Sequence, residues 1–162
     1  IEPSSSDIDR CLAAHPTNFT PGLGGFVAAL RGAGKDVYLV SGGFRQMIAP
    51  IAEDLGLHPF DNVFANNIRF SGDGGDSGDY AGFDEKEFTC RSGGKSAALQ
   101  HLKDTKGYST MVMVGDGATD LEAKPPADIV IGFGGVAKRD VVMEKADIFV
   151  TDFSQLTAVV MQ

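Results

Sequence analysis

Asp116 and Asp120 stand four residues apart in the run Val114-Gly115-Asp116-Gly117-Ala118-Thr119-Asp120. The residues before them, Met111-Val112-Met113-Val114, are four apolar side chains in a row. Such a run predicts a short strand buried on both faces, as in the interior of a parallel sheet. Gly115 ends the strand, Gly117 permits a sharp turn, and a helix is expected from about Ala118. Both carboxylates then lie at the carboxyl end of a buried strand, where open α/β sheets bind ligands. Carboxylates crowded there repel unless a positive charge intervenes, and Mg²⁺ is a hard cation suited to oxygen ligands. The plainer reading is a strand-end turn with two solvated acids, which helix starts favour.

Two more polar spots occupy similar positions. Val37-Tyr38-Leu39-Val40 reads as another buried strand, with Ser41-Gly42-Gly43 at its carboxyl end. Lys95, in Ser92-Gly93-Gly94-Lys95-Ser96, opens a helix. A lysine is disfavoured at a helix start by the dipole, so an anion held nearby would explain it. Taken singly, each feature is an ordinary turn or a solvated charge. Taken together, they supply a hydroxyl, backbone N–H groups, an ammonium and metal-binding carboxylates, which is the chemistry of a phosphate site with a metal.

The elements that must position these groups follow from the pattern. One of Ser4, Ser5 and Ser6 caps a first helix with Ile8, Cys11, Leu12 and His15 on one face, ended by Pro16. Thr20-Pro21 is a cap-plus-first-turn signal for a second helix carrying Leu23, Phe26, Val27 and Leu30, stopped by Gly32 and Gly34. A third helix runs from Phe44 to about Leu55 with Pro50 inside it, where a kink is expected. Segments 62–70 and 80–83 read as extended. Residues 71–79 between them, with four glycines, three aspartates and two serines, read as a flexible hairpin tip. Strands are then expected at 111–114, 128–131 and 148–150, separated by helices. This order predicts an α/β fold with a Rossmann-like parallel sheet, right-handed crossovers and one small inserted β-hairpin.

Composition narrows the function classes. The chain has 162 residues, enough for one domain with a real core. Its 21 glycines imply tight turns and close backbone approaches. The net charge of −8 argues against nucleic acid or an anionic membrane as partner. Cys11 and Cys90 lack metal-type spacing, so a reducing compartment is expected, either cytoplasm or an organellar stroma or matrix, not secretion. No apolar run is long enough to span a membrane. His15, His58 and His101 are scattered and read as structural or surface residues.

The sequence resembles the phosphoserine phosphatase family, within the haloacid dehalogenase-like hydrolase superfamily. The matching pieces are Val40-Ser41-Gly42-Gly43-Phe44-Arg45, Val63-Phe64-Ala65-Asn66, Gly93-Gly94-Lys95, Gly115-Asp116-Gly117-Ala118-Thr119-Asp120, Pro125-Pro126-Ala127-Asp128 and Ile131-Gly132-Phe133-Gly134-Gly135. The resemblance implies Mg²⁺-dependent hydrolysis of a small phosphomonoester through an aspartyl-phosphate. It implies that Ser41, with Gly42 and Gly43, binds the phosphoryl group. Lys95 pairs with the nucleophile and phosphoryl oxygens. Asp116 ligates Mg²⁺, Asp120 supports the metal shell, and Thr119 and Arg139 lie near the substrate. L-phosphoserine is the first expectation for substrate and glycerol 3-phosphate the runner-up.

The same resemblance places the nucleophile in an Asp-x-Asp-x-Thr motif ending a first, central strand, followed by a helical cap. Neither is present in these residues. Asp7-Ile8-Asp9-Arg10-Cys11 has the spacing but follows three serines instead of an apolar strand. Residues 1–19 are therefore expected to be the cap's exit, and 20–162 an incomplete core with its first strand missing. A segment preceding Ile1, or a fused or partner chain, is expected to supply the nucleophile, and this segment alone to be inactive. The missing strand is expected between the Val37 and Met111 strands, which would leave two strand edges open.

Other readings compete. The chain could be a phosphatase-like domain of a larger enzyme, or a non-catalytic regulatory module. Gly132-x-Gly134-x-x-Ala137, with Asp152 about twenty residues on, fits a dinucleotide fingerprint, though at the end of the chain and with a short helix. Gly94-Lys95-Ser96 matches the end of a P-loop, but Thr89 stands where its first glycine is required, so an NTPase is rejected.

Overall fold

The structure, a computed structural model, describes residues 2–72 and 77–161. Part of the expected hairpin tip, residues 73–76, lies outside the described residues. The chain forms two compact units, one of Ile1–Asn18 and Tyr38–Ser92, the other of Phe19–Val37 and Gly93–Gln162.

The first unit begins with α1 (Ser5–Ala14). Ser4 caps it: its hydroxyl accepts from the Asp7 N–H, and the Asp7 carboxylate accepts from the Ser4 N–H. This is the reciprocal box that satisfies two orphan donors. Asp7 and Asp9 are thus helical, not residues at a strand end. Strand β1 (Leu39–Phe44) leads into α3 (Arg45–Asp54), which contains Pro50. β1 pairs in parallel with β2 (Val63–Asn66). β2 buries Val63 and Ala65 at alternate positions, and α3, whose Ala52 is fully buried, packs on it. A hairpin of β3 (Ile68–Phe70) and β4 (Tyr80–Phe83) follows, antiparallel, with Ile68 and Phe70 inward and Arg69 outward.

Here the structure corrects the expected turn at Ser41-Gly42-Gly43. These residues lie within β1, in a register irregularity. Val40 faces Phe64 and Phe44 faces Asn66, so four residues of β1 advance against two of β2. The surplus residues form a bulge, which re-aims side chains at a strand end. Glycine tolerates that path, so the strand bulges and resumes instead of stopping.

The second unit holds α2 (Leu23–Gly32), α4 (Gly94–Lys106), α5 (Ala118–Leu121), α6 (Asp140–Lys145) and α7 (Phe153–Val160). Its sheet is β5 (Val112–Gly115), β6 (Ile129–Phe133) and β7 (Ile148–Val150), all parallel in that order. Phe26, Leu30, Ile131, Phe133, Val150, Phe153 and Leu156 make one buried cluster. The Phe133 and Phe153 rings lie 4.6 Å apart, within aromatic contact range. The α/β class, the parallel sheet and the inserted hairpin are as the sequence predicts.

Two details differ in this unit. α2 starts at Leu23 behind Gly22, whose φ is +89°, while Thr20 only closes the preceding turn by accepting from the Leu23 N–H. A side chain at 22 would collide with Phe153, since its Cβ would lie 2.9 Å from the Phe153 Cβ. Packing against α7 therefore moves the helix start past the Thr-Pro signal. β5 is also less buried than four consecutive apolar residues suggest: Met113 is buried but Val112 is exposed. Among the described residues β5 has a strand only on its β6 side, so it is an edge strand of that sheet. Among the described residues β1 likewise has only β2 as its strand neighbour.

Candidate active site

At the carboxyl end of β5, the chain turns through Gly115-Asp116-Gly117 into α5. The turn is fixed by Asp120. Its Oδ2 accepts from the Gly117 N–H at 3.0 Å, and the side chain folds back over Gly115. Asp120 is the one buried charged residue among the described residues. Its other oxygen, Oδ1, accepts from Lys95 Nζ at 2.6 Å, a short charge-assisted bond. Lys95 is delivered from the first turn of α4, behind Gly93 in the left-handed region (φ +73°). The ammonium that the helix dipole disfavours is thus matched by a buried carboxylate.

Asp116 points elsewhere. Its Oδ2 lies 3.4 Å from Arg139 Nη2, and both side chains are about half exposed. Arg139 occupies the N-cap position of α6, where its side chain makes no capping bond. Thr119 is exposed on the first turn of α5. The structure therefore brings Lys95, Asp120, Asp116 and Arg139 together as two ion pairs at one sheet edge, with Thr119 beside them. Among the described residues, no group of three or more His, Cys, Asp or Glu side chains could hold a metal.

In the first unit, Ser41 Oγ accepts from the Gly43 N–H at 3.0 Å, so hydroxyl and amide are held side by side. Gly42 and Gly43 are exposed. Asn66, at the end of β2, donates from Nδ2 to the Gly42 carbonyl at 2.8 Å. Thr89 Oγ1 in turn donates to Asn66 Oδ1 at 2.9 Å, which fixes the amide's orientation. This pair of bonds ties down the bulge of β1. Arg45, the first residue of α3, donates to the carbonyls of Pro59 and Val63, both at 2.8 Å, and to Glu87 at 3.0 Å. The sequence reading assigned no role to Asn66, Thr89 or Glu87. Asn66 closes the matching piece Val63-Phe64-Ala65-Asn66 and stands at a polar strand end, whereas nothing local marks Thr89 or Glu87.

The dinucleotide alternative loses its glycines to packing. A Cβ at Gly132 would meet Val142 at 2.7 Å, and one at Gly134 would meet the Phe149 ring at 2.4 Å. α6 begins at Asp140, six residues after Gly134, so no helix N-terminus opens on the glycine turn. Asp152 is committed as the N-cap of α7, accepting from Ser154 and Gln155 N–H groups. Among the described residues no helix is long and apolar enough to cross a membrane.

Residues 2–123 match the family model for haloacid dehalogenase-like hydrolase. The chain is 47% identical over 158 residues to the chloroplastic phosphoserine phosphatase of Arabidopsis thaliana, covering 96% of this chain and 52% of that protein. It is 45% identical over 156 residues to the phosphoserine phosphatase of Bos taurus, covering 96% of this chain and 67% of that one. A solved structure of DsGPDH of Dunaliella salina superposes with a TM-score of 0.83 at 38% identity, over 98% of this chain and 26% of that one. The chain thus spans about half to two thirds of the curated relatives' length. This chain belongs to the haloacid dehalogenase-like hydrolase family.

Proposed function

We propose that this chain carries the phosphoryl-binding half of a Mg²⁺-dependent phosphomonoester phosphatase acting on L-phosphoserine. The observation that carries the reading is the Lys95–Asp120 pair, an ammonium held at 2.6 Å by a buried carboxylate at the end of β5. A cation so fixed is preorganised for the charge of a transferring phosphoryl group, without needing to reorient. The named relatives support the substrate class.

The residues present suit Mg²⁺. That ion is held by one or two carboxylates together with waters and substrate phosphate, not by an all-protein cage. Asp116 offers a half-exposed carboxylate, whereas both oxygens of Asp120 are already engaged by Lys95 and Gly117. Asp116 would therefore hold the ion, and Asp120 would support the metal shell by positioning Lys95 and the Gly117 backbone. When bound, Mg²⁺ offsets negative charge on the phosphoryl oxygens.

On this reading the Ser41 hydroxyl and the Gly42 N–H donate to the phosphoryl group, while the Gly43 N–H orients the Ser41 oxygen. Thr119 and Arg139 serve the substrate. An aspartate outside these residues attacks phosphorus, releases the alcohol and is itself freed as water takes the phosphoryl group. Residues 1–162 alone then release no phosphate. The second reading, a phosphatase-like domain of a larger enzyme acting on another small phosphomonoester such as glycerol 3-phosphate, is favoured by the match that covers 26% of a longer chain.

Phosphate release by the full-length protein tests both. L-phosphoserine turned over with Mg²⁺, abolished by EDTA and by Lys95→Ala, is the expected result. Preference for glycerol 3-phosphate selects the second reading. No release from either substrate would leave the regulatory module.

A further inference from the structure

Asp116 and Asp120 are four residues apart, yet their counter-ions differ in kind. Asp120 is 7% exposed and holds Lys95 at 2.6 Å, in a pair sheltered from water. Asp116 is 44% exposed and faces Arg139, itself 56% exposed, at 3.4 Å. The first pair is built to persist and the second to exchange, since exposed ion pairs contribute little. Arg139 is also the last residue before α6, in extended conformation with φ −115° and ψ 123°; its carbonyl accepts from the Val142 and Met143 N–H groups, but its side chain makes no capping bond and is held there only by Asp116 among the described residues. Its side chain is the only cation given to Asp116 among the described residues' ion pairs.

We propose that Arg139 is a displaceable counter-ion of Asp116: it neutralises this carboxylate until a divalent cation takes its place, and is then released to bind an anion. The inference rests on the reading of Asp116 as the Mg²⁺ carboxylate. A Mg²⁺ ion sits at about 2.0–2.1 Å from a carboxylate oxygen. A guanidinium sharing that carboxylate at its present distance would stand within about 6 Å of it, and like charges so close in a half-exposed site repel. The flexible arginine, not the tightly bound ion, is the partner that moves. Freed, its planar fork suits phosphate oxygens. Cation and phosphate would then bind with positive coupling, each favouring the other by the same factor.

The test uses the full-length protein with Mg²⁺ and inorganic phosphate as probes. Calorimetry on Arg139→Ala should show Mg²⁺ binding about two- to five-fold tighter than wild type, the size expected from loss of an exposed competing ion pair. The Arg139 Nε–H resonance should shift on Mg²⁺ addition to wild type and stay in place in Asp116→Asn. Mg²⁺ should strengthen phosphate binding in wild type by a larger factor than in Arg139→Ala. If wild type binds Mg²⁺ but Arg139→Ala binds it no more tightly, or the Nε–H signal is unmoved at saturation, Arg139 is not the displaced ion and only this proposal falls. If wild type binds no Mg²⁺ at all, the reading of Asp116 falls and takes the proposal with it.

Discussion

A β-carbon on Gly115 would lie 2.0 Å from the carboxyl carbon of Asp120. That contact is closer than any two such atoms can approach, so the glycine is the space into which the aspartate folds. The side chain reaches Lys95 and the Gly117 N–H only because position 115 carries nothing. Gly115→Ala should therefore expel the carboxylate, breaking a buried pair as well as crowding the turn. Breaking such pairs typically costs about 3–5 kcal/mol, and overpacking adds to it. The urea midpoint of Gly115→Ala should fall far below that of the exposed-site control Gly24→Ala, whose added Cβ meets nothing within 4 Å. Equal midpoints would show that Asp120 has another way to fold back.

Lys95 and Asp120 should show strong coupling in stability as well as in any phosphate release. Lys95→Met leaves Asp120 buried without its cation, and a loss of about 3 kcal/mol is expected, the low end for buried pairs because Lys95 is one-fifth exposed. Lys95→Met/Asp120→Asn removes both charges and should recover part of that loss. A double-mutant cycle by urea denaturation measures the coupling. Additive losses would mean that the two side chains act independently of the short contact between them.

Arg45 stands two residues after the Ser41-Gly42-Gly43 run, and its role is structural. Its side chain is 13% exposed, and the guanidinium joins the Pro59 and Val63 carbonyls and Glu87 in one fork. Arg45→Lys supplies a point charge that cannot reproduce three directed bonds, so it should destabilise nearly as much as Arg45→Met. A cost of about 2–4 kcal/mol is expected from carbonyls and a carboxylate left short of partners. Thermal unfolding of the two variants decides it. A lysine variant as stable as wild type would show that charge alone suffices.

The motifs were more legible than their surroundings. The Asp116-to-Asp120 turn and the Lys95 helix start could be placed because an apolar run stops at glycine and a charge sits against the dipole, both of which are local signals. Leu23, Phe26, Val27 and Leu30 marked a helix face for the same reason, and Phe26, Val27 and Leu30 are indeed buried. What escaped was tertiary. The Ser41–Gly43 bulge depends on pairing with β2, which local sequence does not encode. The exposure of Val112 depends on which strands flank β5. The links from Thr89 to Asn66 to Gly42 join residues more than twenty apart, and no periodicity reports such a pairing.

The sheet of the second unit is also pinned by two aspartates whose titration makes it acid-sensitive. The Asp147 carboxyl is held below the usual range, first by the Lys124 ammonium at 2.6 Å and then by the Val130 N–H at 2.7 Å. Asp128 is lowered first by the Met111 N–H at 2.8 Å and further by the nearby Lys103. A carboxylate with a depressed folded-state pKa binds fewer protons folded than unfolded. Its stabilisation is thus fully present above the unfolded value and is lost as pH falls through the folded one. Stability should accordingly hold level down to about pH 5 and decline below pH 4, near the ordinary aspartate range. Asp147→Asn removes one titrating group, so it should lower stability at pH 6 and flatten the decline between pH 4 and pH 2. Urea midpoints across that range measure both effects. An acid limb as steep in Asp147→Asn as in wild type would place the acid sensitivity in other carboxylates.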